Sequence, residues 1–170
     1  MRSILKKIFK KNVKKKVYLF WHLPFKLKIL FCINFFLCGI ARACILLFPL
    51  KRLSPYFGIL YKNIMCSTIL SKKQLRHATQ LRRSIKLAAK YTPWNSNCLT
   101  QAMVAKFWCQ QLNIPYVLYI GFAKNIDKPN GYAAHAWLTA GPIAITGELS
   151  FPHYQVISSY VPNAIMPTND

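Results

Sequence analysis

The chain has 170 residues, of which 24 are Lys or Arg and only 3 are Asp or Glu, so its formal net charge is +21. This length suits one domain of ordinary size with an additional segment. Six cysteines form no C-x-x-C pair and no zinc-finger spacing with histidine, and three of them lie in one apolar run. These spacings argue against a structural metal site and against a disulfide scaffold. We therefore expect reduced thiols in a cytoplasmic protein, with no metal and no other cofactor.

The charge is distributed so unevenly that the chain divides into two regions. Residues 1–90 hold 21 of the basic residues and no acid, whereas residues 91–170 hold three bases and three acids. The first region is predicted to be basic, apolar and helical, and the second to be the catalytic core.

The first 16 residues form a lysine-rich arm with apolar residues at helical intervals. One interpretation places this arm on an anionic membrane face, where each basic residue adds on the order of 1 kcal/mol. The other interpretation is a solvated, frayed terminus. In the first interpretation, the arm would hold the protein peripherally at the inner face of the cell membrane.

Residues 29–50 form an apolar run that is long enough to cross a bilayer, which takes about 20 residues. Ten basic residues precede this run, and ten follow it before residue 91. A single crossing would export one of these sets, against the tendency of basic residues to stay inside. A buried or in-plane helix is therefore favoured over a spanning one.

From residue 51 to residue 97 the pattern predicts helical structure. Between residues 72 and 91 a narrow apolar stripe is surrounded by basic side chains, and its members are Ala78, Leu81, Ile85 and Ala88. Such a basic helix could bind nucleic acid, but the region carries no recognisable DNA- or RNA-binding motif. We expect no nucleic-acid partner.

The character of the chain changes after Pro93. Residues 98–112 are apolar around most of a helix circumference, which indicates a helix buried in a fold, and the preceding Asn95, Ser96 and Asn97 are N-cap residue types. Strands are predicted over 116–122, 132–139, 143–146 and, as a fourth, 153–160. The fold class is therefore α+β, with the buried helix packed on an antiparallel meander.

Three residues of this second region suggest nucleophilic catalysis. Cys98 opens the buried helix, where unpaired N–H groups and the positive end of the helix dipole favour a thiolate. His135 lies on a strand 37 residues later, with room to approach the thiol. Glu148 follows the next strand and would return beside His135. A carboxylate there would fix the imidazole tautomer, as in Cys–His–acid hydrolases.

The stretch from Asn97 to Glu148 resembles the transglutaminase-like proteins of lasso peptide biosynthesis, which remove leader peptides. The features that carry the resemblance are Cys98-Leu99 opening a helix, Ile114, Ile120-Gly121 closing a strand, "AHAW" at 134–137, and the pair Gly147-Glu148. The resemblance covers roughly residues 90–160, and the basic and apolar helices before it also look like those of the stand-alone members. The third triad position is more usually Asp in that family, and the residue after "AHAWL", here Thr139, is commonly acidic.

The resemblance implies a transglutaminase-like, papain-like cysteine hydrolase core. Cys98 would be the nucleophile, His135 the general base and acid, and Glu148 the orienting carboxylate. The substrate would be a lasso precursor peptide, cut between leader and core. The expected partners are a separate leader-binding protein, because residues 1–90 do not look like that domain, and an asparagine-synthetase-like cyclase.

Two other functions fit the same residues. A transglutaminase, amidase or acyltransferase would use the same triad and pass the acyl group to an amine instead of water. A membrane-surface adaptor would keep the fold with an inactive site. The expected oxyanion donors are the Cys98 backbone N–H and a side chain such as Asn97 or Trp94.

Overall fold

A computed structural model of the chain describes residues 24–62, 65–124, 131–147 and 154–162. The helices in these ranges are α1 (Phe25–Leu47), α2 (Leu50–Leu53), α3 (Lys72–Tyr91) and α4 (Cys98–Gln111), with a 3₁₀ turn at Ser54–Phe57. The strands are β1 (Ile59–Lys62), β2 (Val117–Lys124), β3 (Tyr132–Ala140), β4 (Ile143–Thr146) and β5 (Gln155–Val161). The basic arm over residues 1–16 and Glu148 lie outside the described residues.

The five strands form one antiparallel sheet in the order β1-β5-β2-β3-β4. Strands β2, β3 and β4 make the predicted meander, with a tight turn at Gly141 between the last two. The fourth predicted strand, β5, does not continue this meander, because it returns across the sheet to pair with β2. Helices and an antiparallel sheet together confirm the α+β class.

Residues 59–62 were predicted to be helical, and this prediction is wrong. Pro55 lies in the 3₁₀ turn, and Gly58 then adopts a φ of 128°, a conformation that side-chain-bearing residues rarely take. A Cβ on Gly58 would also lie 2.3 Å from the carbonyl oxygen of Val161. The chain therefore leaves the helix and adds β1 to the free edge of β5.

The main core lies between the helices and one face of the sheet. Helix α4 packs on β3 and β4, and α1 packs on both α3 and α4. The apolar stripe predicted for α3 is buried in this core, where Ala78, Leu81, Ile85 and Ala88 are at most 1% exposed. The opposite face of the sheet carries a smaller cluster built on Val117, Tyr119 and Trp137.

Helix α1 coincides with the apolar run of the sequence and is long and apolar enough to cross a membrane by length and composition alone. The core helix of a water-soluble protein can be equally long and apolar, but such a helix is mostly buried. In α1 only 17% of the apolar window is buried. The buried residues Asn34, Cys38 and Ala41 all lie on the side that faces α3 and α4. One side of α1 therefore belongs to the core, and the other side is open.

Candidate active site

Cys98 is the first residue of α4, as the sequence predicts. The helix is capped by Asn97, whose Oδ1 accepts hydrogen bonds from the Thr100 backbone N–H at 3.0 Å and from the Thr100 hydroxyl at 2.8 Å. Cys98 itself is half-buried against the main core. Its thiol therefore sits at the helix end where backbone N–H groups and the helix dipole stabilise an anion.

The loop before Cys98 is held by short hydrogen bonds. The hydroxyls of Thr92 and Ser96 lie 2.8 Å apart, and the Gln101 side chain donates to the Ser96 carbonyl at 2.8 Å. The Trp94 ring packs on α1, 5.1 Å from the ring of Phe35. The start of α4 is therefore fixed from both sides.

The two side chains expected as oxyanion donors differ in their surroundings. The Trp94 indole packs so closely on α1 that a Cβ on Gly39 would lie 2.9 Å from it, and its buried Nε1 has no hydrogen-bond partner among the described residues. The oxygen of the Asn97 amide is used by the helix cap, so only the NH₂ group of that side chain is suited to donate. Both oxyanion assignments stay predictions.

His135 lies on β3 between two aromatic rings. Its ring stacks on Trp137 with a centroid distance of 5.8 Å and a 20° interplanar angle, and on Tyr154 at 4.9 Å. Tyr119 continues the stack on the far side of Trp137, at 5.4 Å. Because side chains alternate along a strand, His135 shares the sheet face of Trp137, whereas Ala136 points into the main core.

The ring of Tyr119 is in turn fixed at its hydroxyl. This group donates to the Cys66 carbonyl at 2.5 Å and accepts from the Cys66 backbone N–H at 3.2 Å. Burial raises the pKa of Tyr119, so the phenol stays protonated near neutral pH. The aromatic stack that holds His135 is therefore anchored to the segment before α3.

A backbone carbonyl approaches the imidazole of His135 from the next strand. The Nε2 atom lies 3.4 Å from the Gly147 carbonyl oxygen. Gly147 has a φ of 74°, and a Cβ there would lie 2.9 Å from Nε2 and 2.5 Å from the Trp137 Cβ. Only glycine allows this approach. In the Gly147-Glu148 pair, Gly147 therefore has a steric role.

The described residues do not bring the predicted triad together. Helix α4, which begins with Cys98, packs on β3 from the main-core side of the sheet, whereas the His135 ring lies with Trp137 on the opposite side. Among the described residues no hydrogen bond joins the Cys98 thiol to the His135 imidazole. Glu148 lies outside the described residues, but it is bonded to Gly147, whose carbonyl faces the imidazole. The triad of Cys98, His135 and Glu148 therefore stays a prediction.

The other cysteines are less suited to be nucleophiles. Burial raises the pKa of the Cys109 thiol to about 12 and also raises that of Cys38, so both remain neutral near pH 7. Cys32 and Cys66 are exposed, and neither lies at a helix N-terminus. Cys98, at the N-terminus of α4, is therefore better placed than these four cysteines to act as a nucleophile.

Sequence reasoning missed a buried polar residue that joins the three long helices. Asn34 interrupts the apolar run, yet it is fully buried: its Nδ2 donates to the Ser84 hydroxyl at 2.9 Å, and its Oδ1 accepts from Trp108 Nε1 at 2.6 Å. These bonds tie α1 to α3 and α4. A lone amide in an apolar helix was the available signal, because buried polar groups require partners.

A groove of about 460 Å³ opens at the end of the sheet. Its lining includes neither Cys98 nor His135, and Phe122, which follows the β2 partner of His135, Gly121, points to the opposite face of the sheet. The groove is mostly apolar with one cation, and its lining residues are Phe122, Ala123, Lys124, Tyr132, Gln155 and Ile157. An extended apolar peptide would fit its chemistry.

The chain matches one known family model, described as the transglutaminase-like superfamily, over residues 44–159. This range contains Cys98, His135 and Glu148, and it begins well before the division predicted at residue 90. No curated protein and no solved structure matches the chain. The fold prediction is confirmed at the level of the superfamily, and the narrower lasso peptide family is not.

Proposed function

Because the chain belongs to the transglutaminase-like superfamily, whose fold is that of cysteine peptidases and transglutaminases, we propose that it is a cytoplasmic cysteine peptidase. The observation that carries this proposal is Cys98 at the capped N-terminus of α4, a helix of the superfamily domain. The carboxylate that completes the triad would be Glu148.

The proposed reaction is hydrolysis in two steps. The Cys98 thiolate attacks the carbonyl carbon of a peptide bond, and the C–N bond breaks as His135 protonates the leaving amine. The resulting thioester is attacked by a water molecule, from which His135 removes a proton. The C–S bond then breaks, and the enzyme returns to its thiolate and imidazolium state with a carboxylic acid as product.

The role of Glu148 is supported by the position of its neighbour. The Gly147 carbonyl lies 3.4 Å from Nε2, so the backbone reaches the imidazole one residue before the carboxylate. A backbone carbonyl can also hold a histidine in one tautomer. Comparison of Glu148→Gln with the parent therefore distinguishes a triad from a dyad.

For the substrate we propose the leader-bearing precursor of a lasso peptide, as the sequence resemblance implies. In this proposal a separate leader-binding protein presents the precursor, and an asparagine-synthetase-like cyclase consumes the product.

The test is proteolysis of a precursor peptide followed by mass spectrometry. Hydrolysis gives two fragments whose masses add up to the precursor plus one water. Cys98→Ala should abolish cleavage while the fold is retained, whereas Cys32→Ala, at an exposed thiol on α1, should leave it unchanged. Cleavage by a folded Cys98→Ala protein would refute the mechanism.

Acyl transfer is the second candidate, because the superfamily that the chain belongs to includes transglutaminases. The same assay in the presence of a primary amine separates the two reactions. A transferase would give a product that carries the amine in place of water. An inactive adaptor would give neither product, and its Cys98 would react with iodoacetamide no faster than the exposed Cys66.

A further inference from the structure

Helix α1 exposes a continuous apolar stripe along its whole length. The residues follow one another at intervals of three or four, so they share one face of the helix. The stripe, as we use the term, consists of Phe25, Ile29, Cys32, Ile33, Phe36, Ile40, Ala43 and Leu47, all of them exposed. No polar residue interrupts it. Phe25, Phe36 and Leu47 are 75%, 67% and 74% exposed, so large side chains face outward at both ends and in the middle.

The opposite face of α1 fixes the orientation of the stripe. Asn34 and Cys38 are fully buried there, and the Asn34 amide is bonded to Ser84 and Trp108. Rotating α1 to bury the stripe would break both hydrogen bonds and expose the amide-bearing face. The stripe is therefore a stable surface of the folded domain, and a partner must come from outside the helical core.

Charge selects the kind of partner. Every charged side chain in the described residues is Lys or Arg. Lys26 and Lys28 lie in the first turn of α1, and Lys51 and Arg52 follow its end. A second copy of the chain would bring like charges together, and residues 1–23, with eight bases and no acid, carry the same sign. The surface is complementary to an apolar layer rimmed by negative charge, which is the chemistry of an anionic bilayer.

Helix α3, which packs on α1, distinguishes a helix that lies on this bilayer from one that crosses it. Helix α3 packs along α1, with Asn34 bonded to Ser84 and the ring of Phe31 6.2 Å from that of Tyr91. The solvent side of α3 is basic, and its charged residues are Lys72, Lys73, Arg76, Arg82, Arg83, Lys86 and Lys90. A spanning α1 would draw these charges into hydrocarbon, which strongly disfavours insertion.

We propose that the stripe docks α1 in the plane of an anionic membrane, at the boundary between headgroups and acyl chains. The helix lies on the surface, with the stripe facing down and α3 and α4 above it. The basic residues at both ends of α1, Lys26 and Lys28 at one and Lys51 and Arg52 at the other, face the lipid phosphates. This proposal does not depend on the catalytic activity.

The first experiment measures flotation of the full chain with phosphatidylcholine vesicles, with and without phosphatidylglycerol. The triple variant Ile29→Glu/Phe36→Glu/Ile40→Glu should lower binding to the anionic vesicles at least about tenfold, because three apolar side chains no longer enter the interface. The matched control is a triple variant with the same charge change at exposed apolar positions elsewhere, namely Met65→Glu, Ile69→Glu and Tyr132→Glu. It should bind within about twofold of the parent. Equal loss in both variants would overturn the proposal, because net charge alone would then explain binding.

The second experiment separates lying from spanning. A fluorophore is placed on Ile29→Cys, Phe36→Cys or Leu47→Cys in a chain with Cys32→Ser, Cys44→Ser, Cys66→Ser and Cys98→Ser, which leaves only the two buried thiols, and is quenched by lipids labelled at known depths. In-plane docking predicts similar shallow depths at the three positions, about 5–10 Å below the headgroups. A middle position much deeper than both ends would refute it in favour of a span. Vesicle-independent dimerisation through the stripe, seen by light scattering, would refute it in favour of a second copy.

Discussion

Replacing Gly147 by alanine tests how the imidazole of His135 is positioned. The residue has a φ of 74°, and the new Cβ would lie 2.5 Å from the Trp137 Cβ and 2.9 Å from His135 Nε2. The left-handed conformation costs about 1–2 kcal/mol for a residue with a Cβ, and overpacking adds about 1–3 kcal/mol. We therefore expect a loss of about 2–5 kcal/mol in the free energy of unfolding, measured by urea denaturation.

The same substitution should displace the imidazole, since neither contact can be relieved without moving β3 or β4. A shift of about 1 Å at a catalytic group reduces the rate by about 10²-fold. Hydrolysis of a small activated ester, measured where the variant is fully folded, reports this loss separately from stability.

Gly141→Ala is the matched control for this test. Gly141 also has a positive φ, 52°, but its Cβ would meet the Leu70 side chain at 3.0 Å and the Thr68 carbonyl oxygen at 3.1 Å, both looser than the 2.5 Å contact at Gly147. This variant should lose stability by about 1–2 kcal/mol and keep its rate. A folded Gly147→Ala protein with the parent rate would refute the inference that the Gly147 carbonyl positions His135.

Three further predictions concern the acid, the buried amide and pH. Glu148→Gln should lower activity by a factor that approaches about 10⁴ if the carboxylate orients His135, and Glu148→Asp should keep most of it; equal activity of the Gln variant and the parent would indicate a dyad. Asn34→Ala should destabilise the fold by about 2–4 kcal/mol in urea unfolding, because Trp108 Nε1 loses its acceptor in a buried site; an unchanged midpoint would show that the bond is dispensable. Burial raises the pKa of the Cys109 thiol from 9.0 to about 12, so this thiol ionises more easily in the unfolded chain. The free energy of unfolding should therefore fall between these pH values by up to about 1.4 kcal/mol per pH unit, and Cys109→Ala should flatten that fall.

Local patterns predicted the elements whose burial is regular along the chain. The apolar run gave α1, the stripe beginning at Ala78 gave α3, and the wholly apolar segment after Asn97 gave α4. Strands β2, β3 and β4 were found because turn residues separate them. These signals are visible in a short window because each arises from the spacing of buried side chains.

The missed features depend on residues that are distant in sequence. Strand β1 has only four residues and exists because it pairs with β5, which no local pattern could indicate. The stacking of Tyr119 and Tyr154 around Trp137 and His135 depends on the register of three strands. Sequence reasoning therefore placed Cys98 and His135 on the expected elements but not the groups that hold the imidazole.

The insertion of β5 between β1 and β2 has a consequence for synthesis of the chain. Tyr61 on β1 and Ser159 on β5 are hydrogen-bonded although they are 98 residues apart. While the ribosome is still translating the segment before residue 155, β1 has no partner and one edge of β2 is open. The nascent chain therefore exposes both a strand edge and the apolar α1 until its last strand emerges. We expect its co-translational folding to be late and sensitive to chaperones.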